Sequence, residues 1–197
     1  MFSMAGPMDN LAARVFSRAK ERGWTDRVAI REGERAWTYG QLEDQAARVA
    51  TSLRTLRISK GERVALYMRD SLEMAAAILG AVYAGTVVVP LSELERPLKV
   101  RDYLKDSGAV AVVVGETLEP TIDGIRGQVP ALREVLTTGS VSPGERDFYA
   151  LVRGSAPATT AIAVDEQDLA FILYSGGGSV KVPRGVPHSH ATPMTAF

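Results

Sequence analysis

Cysteine is absent from the 197 residues, which excludes disulfides, thiolate zinc centres and a cysteine nucleophile and fits a reducing cytoplasm. Net charge is absent too. Twenty-three basic residues balance twenty-three acidic ones, so no overall field draws the chain to nucleic acid or an anionic membrane, and any anion site has to be local. Histidine is scarce: His188 and His190 are the whole supply. Two imidazoles are too few for zinc, and only carboxylates could complete such a set. The opening MFSMAGPMDN lacks the basic segment and apolar run of a secretory signal, and residues 1–9 read as a flexible lead-in. Neither GxxxxGK followed by Ser or Thr nor GxGxxG between strand and helix occurs, which excludes a Walker site and a dinucleotide fingerprint. Internal repeats and coiled-coil heptads are also missing.

Long apolar runs are limited to one candidate, the uncharged stretch Met74 to Leu91, which approaches the length of a membrane span. Gly80, Gly85 and Pro90 interrupt it, and its composition turns from helix-favouring AAAIL to β-branched TVVV. The stretch therefore predicts a buried helix leading into a buried strand.

What is present is enough apolar material, 46% of the residues, to line the core of one domain. Leu11, Val15 and Phe16 recur at helical spacing between Asn10 and Arg22, with Gly23 as a stop. RVAIREGERAWTYG alternates on either side of Gly33 and predicts a β-hairpin. Thr38 and Gln41 have capping-box spacing ahead of a helix that ends near Arg57. RVALYMRD then reads as a strand, and Asp70 with Glu73 as a second capping box opening a helix toward Gly85. TVVVPL, a short helix from Leu98 to Lys105, and AVAVVVG continue the alternation. The intervals are too long for hairpins, so these strands are expected to be parallel and joined by helices. The predicted class is α/β, with a layered, mainly parallel sheet flanked by helices and an N-terminal hairpin. REVLTTG is a candidate further strand, residues 139–163 read as a surface connection with a helical turn around Phe148 to Val152, and DLAFILYS reads as a buried strand.

That strand runs into YSGGGSVKVPRGVPHSH, Tyr174 to His190. Glycines let successive backbone N–H groups face one anion, while Ser175 and Ser179 offer hydroxyls and Lys181 and Arg184 offer charge. A position beyond the carboxyl end of a strand suits a ligand. Glycine with serine is equally the composition of a flexible link, and local features leave both readings open.

The longer segment DLAFILYSGGGSVKVPRGVPHSH resembles the phosphate-loop motif of the AMP-forming acyl-CoA synthetases, the adenylate-forming family, whose members typically read YSSGSTGxPKGVxHxH. Tyr174, Ser175, Gly177, Pro183, Arg184, Gly185, Val186, His188 and His190 match, with Arg184 in place of lysine. WTYGQLEDQAARVATSL and GERVALYMRDSLEMAAAILGAVYAGTVVVPL are similar to upstream family segments, and the nearest branch in appearance is the benzoate and aryl-acid CoA ligases. The resemblance implies the partial N-terminal domain of that fold. It also implies activation of a carboxylic acid by ATP to an acyl-adenylate, followed by transfer to coenzyme A, with Mg2+ as the companion of ATP. By the same resemblance Ser175, Gly176, Gly177, Gly178, Ser179, Lys181, Arg184 and Gly185 form the phosphate contact, and the two histidines border the nucleotide and acyl site. One departure stands out. Eight residues, SGGGSVKV, separate Tyr174 from Pro183, where the family pattern has seven. Aligned from the left, Val180 takes a glycine position, and a β-branched residue resists positive φ.

The family's adenine and ribose motifs, its magnesium-holding glutamate, most of the acyl pocket and the mobile C-terminal domain fall beyond Phe197. The leading expectation is thus an N-terminal ligase fragment, inactive alone, cytoplasmic, with no nucleic-acid or membrane partner and with apolar surface that promotes self-association. The alternative is a stand-alone, non-catalytic α/β module or interaction protein with an altered loop.

Overall fold

A computed structural model describes residues 10–174 and 184–194. Helix α1 (Leu11–Glu21) begins at Asn10, whose side chain accepts from the N–H groups of Ala12 and Ala13. A hairpin of β1 (Val28–Glu32) and β2 (Arg35–Thr38) follows. Thr38 then opens α2 (Tyr39–Thr55) with the expected capping box: its hydroxyl accepts from Gln41 N, and the Gln41 side chain accepts from Thr38 N. Two orphan amide groups are satisfied in one stroke.

The main unit alternates as predicted: β3 (Arg63–Tyr67), α3 (Leu72–Tyr83), β4 (Val87–Leu91), α4 (Pro97–Ser107), β5 (Ala111–Val114), α5 (Glu119–Ile125) and β6 (Glu134–Thr137). Then come β7 (Arg146–Asp147), α6 (Phe148–Gly154), β8 (Leu169–Tyr174) and β9 (Gly185–Ser189). The seven strands from β3 onward form one sheet in the order β7-β6-β5-β3-β4-β8-β9, in which every neighbour pair is parallel except β8 with β9. The α/β class with its hairpin is borne out.

Helices cover both faces. On one face Val64, Leu66, Val88 and Val113 pack against α1, α2, α3 and α6; on the other Ala65, Tyr67, Val89 and Val112 pack against α4 and α5. Strands buried on both sides are what their continuous apolar sequences require.

Three details differ from the sequence reading. Helix α3 is capped by Ser71, whose hydroxyl accepts from Met74 N at 3.1 Å, and not by Asp70. Glu73 turns away to pair with Arg35 on the hairpin, which removes it from a capping box. Residues 139–163 contain β7 as well as the helical turn, here a full α6. Strand β8 is only half covered: Leu169 and Leu173 are exposed, Ala170 is buried, and the residues between are intermediate. Among the described residues no helix is long and apolar enough to cross a membrane.

Candidate functional site

The site is set by where consecutive connections part. After β3 the chain enters α3 on one face of the sheet; after the neighbouring β4 it enters α4 on the opposite face. Adjacent parallel strands whose following helices lie on opposite faces leave a crevice at their carboxyl ends, where ligands of open α/β sheets bind. A groove of about 580 Å³ lies there, lined by Met68, Arg69 and Asp70 after β3, Leu91 at the end of β4 and Ser92 after it, and Met74 of α3. Arg69 Nε stands 3.4 Å from Glu93 Oε2 across its mouth.

One strand further along, β8 arrives at the same edge. Val88 of β4 is level with Phe171 of β8, so Tyr174 lies as many residues past that pair as Leu91 does on β4. Pro90 has no N–H to donate to a ladder. The Tyr174 ring stacks on Tyr103 of α4, centroids 4.3 Å apart, and its hydroxyl donates to Asp106 Oδ2 at 2.6 Å. Burial, with the Asp106 carboxylate as a second cause, pushes the Tyr174 phenol well above the usual tyrosine range. Across the hairpin Gly185 faces Tyr174. A Cβ there would collide with Ile172 Cγ2 and come within 3.2 Å of the Tyr174 ring, so glycine is demanded by contact.

Of the expected phosphate residues, Ser175, Gly176, Gly177, Gly178, Ser179 and Lys181 lie outside the described residues, as does the lead-in 1–9. Arg184 is exposed beside the end of β8, and Gly185 opens β9. The histidines separate in role. His188 sits half-buried on β9. His190 is fully buried, and its Nδ1 accepts from Leu11 N at 3.1 Å while its backbone N–H donates to Asp168 O. Burial pulls the His190 imidazole below its ordinary range, and the Asp168 carboxylate only partly opposes this. The accepting Nδ1 fixes a neutral ring with its proton on Nε2. Among the described residues no three His, Asp or Glu side chains gather as a metal site.

Sequence reasoning missed the crevice between β3 and β4 and the Tyr103–Asp106 anchor. The crevice depends on strand order, which no local pattern carries. The anchor joins residues 68 positions apart.

A mainly parallel sheet with a crevice at its carboxyl rim is the arrangement in which open α/β proteins bind ligands. The chain belongs to the AMP-binding enzyme family, whose model matches residues 16–197. It is 29% identical over 187 residues to the 3-hydroxybenzoate–CoA ligase of Aromatoleum sp. (strain CIB), covering 95% of this chain and 36% of that protein. It is 35% identical over 160 residues to a long-chain-fatty-acid–CoA ligase of Mycobacterium tuberculosis, covering 81% of this chain and 31% of that one. Among solved structures, the benzoate CoA ligase of Burkholderia xenovorans LB400 superposes with a TM-score of 0.80 at 32% identity, covering 92% of this chain and 35% of that one. The resemblance to benzoate-type ligases is borne out. The chain spans about a third of the length of the curated relatives it matches.

Proposed function

We propose that this chain supplies the phosphate-loop portion of an AMP-forming carboxylic acid–CoA ligase, which joins an aryl or acyl carboxylate to ATP as an acyl-adenylate and passes it to coenzyme A. The observation that carries this reading is the delivery of Tyr174 by β8 to the carboxyl rim, with Gly185 facing it across the hairpin and exposed Arg184 next to that glycine. The names of the relatives support the acid class, with aryl acids first among them.

In this reading the chain's own residues bind and orient; positioning and charge stabilisation are the greater part of catalysis in phosphate and nucleotide transfer. Arg184 neutralises charge on the β and γ phosphates of ATP, and Ser175, Gly177 and Ser179 donate hydrogen bonds, with Lys181 adding charge. The cysteine-free composition supports a cytoplasmic setting. Exposed Leu169, Leu173 and Val186 support self-association, which gel filtration across a concentration series reads directly.

Calorimetric titration with Mg·ATP tests the phosphate role. Micromolar binding that disappears in Arg184→Ala is the expected result. Binding that is absent, or that survives Arg184→Ala unchanged, overturns it and leaves the non-catalytic module as the description of the chain.

A further inference from the structure

The geometry points to Tyr174 as a positioning residue: its hydroxyl, donated to Asp106, and its ring, stacked on Tyr103, fasten the facing ends of β8 and β9 to α4 and so fix where Arg184 is presented at the rim. The inference rests on the phosphate role proposed for Arg184.

The need for such a fastening is visible in the sheet. Strands β3 and β4 pair through five residues each, whereas β4 and β8 share a single registered pair, Val88 with Phe171. On its other side β8 has only β9, which ends the sheet. The rim end of this hairpin is thus held weakly by backbone ladders. Side chains take over. The Tyr174 hydroxyl meets a carboxylate at 2.6 Å, with the Tyr103 carbonyl a longer 3.4 Å away, and a hydrogen bond to an ionised acceptor is stronger than a neutral one. The phenol keeps its proton because burial and the neighbouring carboxylate both disfavour ionisation, so the donor is present throughout the neutral range.

The other end of the fastening is itself immobilised. Val100 and Leu104 of α4 are fully buried. Gly108 closes the helix in the left-handed conformation, and Arg63 at the start of β3 donates to the carbonyls of Ser107 and Gly108 at 2.6 and 2.9 Å. From Arg63 through α4 to Tyr174 the contacts form a continuous brace under the hairpin. Because β9 runs flush against the Tyr174 ring at Gly185, the residue next to it, Arg184, inherits the position of that ring.

The test uses the full chain in four forms: wild type, Tyr174→Phe, Asp106→Ala and Asp106→Asn, the last keeping an oxygen that accepts the phenol. Amide hydrogen exchange across residues 184–189 reads the fastening without any ligand, and titration with Mg·ATP reads its consequence. Tyr174→Phe and Asp106→Ala are expected to speed exchange at 184–189 by about tenfold, as loss of a hydrogen bond to a charged group should, while β3 and β5 exchange as before. Both are expected to weaken Mg·ATP binding by about fivefold or more, with Asp106→Asn, whose neutral oxygen accepts a weaker bond, recovering part of the loss in both readouts.

If the wild type binds Mg·ATP and Tyr174→Phe binds it equally well, the positioning role is overturned and the phosphate role stands. An Asp106→Asn variant as impaired as Asp106→Ala also overturns it, since the loss would then not follow the hydrogen bond. A wild-type chain that fails to bind Mg·ATP overturns the phosphate role of Arg184, and the positioning role falls with it.

Discussion

The centre of the sheet and its β8–β9 flank are built by different means. In β3, β4 and β5 most residues are buried on both faces, and ladders run the full strand length. In β8 and β9 exposed and half-buried residues predominate, one pair connects the hairpin to β4, and side-chain anchors at Tyr174 and His190 supply the rest. The centre obtains its position from burial, which is non-directional and tolerant of shape; the flank obtains its position from a few directional contacts. Arg184 and Gly185, the described members of the candidate phosphate set, belong to the flank, where geometry can be set by single atoms.

That contrast can be broken from either side. The largest effect belongs to the centre: Leu66→Ala, at a fully buried β3 position, is expected to cost about 3 kcal/mol in urea unfolding. A cost below 1 kcal/mol would deny that burial holds the centre. Next comes Asn10→Ala. This side chain caps α1 and donates to Val82 O at 2.7 Å, so its loss should cost about 1–2 kcal/mol by the same measurement.

Acid should act on the flank through His190. Its folded-state pKa is lowered by burial, so the unfolded chain binds more protons as pH falls below about 6.5. The His190 contribution is therefore complete above that pH and is lost as pH falls toward the folded-state value. Comparing urea midpoints at pH 7.5 and 5.5, wild type should lose on the order of 1 kcal/mol more than His190→Asn. Equal losses would remove His190 from the account. The smallest effect is expected for Leu173→Ala, at a position 40% exposed, which should cost less than about 1 kcal/mol. A cost matching that of Leu66→Ala would erase the distinction between the two regions.

The same division governs what could be read from the chain. Strand β5 was legible because AVVV has no polar residue to contradict burial, and α2 because Thr38 and Gln41 advertise its start. Strand β7 was not legible, since two residues, Arg146 and Asp147, become a strand only by lying beside Leu136 and Thr137. Strand β9 was hidden for a related reason: GVPHS has neither alternation nor β-branched density, and its extended form comes from pairing with β8. The start of α3 misled because Asp70 and Ser71 are both competent caps, and the hairpin's Arg35 claims Glu73 from the side. At the candidate site the strand-to-glycine junction could be seen in the residues themselves. Tyr103 and Asp106, by contrast, look like ordinary residues of an amphipathic helix until the fold places them under Tyr174.

The bond from Leu11 N to His190 Nδ1 closes a loop of 179 residues. On a ribosome, which releases the chain from its beginning, α1 must wait without this acceptor until residue 190 has emerged. Helix α1 is thereby locked only after the strands that precede His190 in the chain, and its docking reports that β9, which leads into His190, has been synthesised and correctly paired.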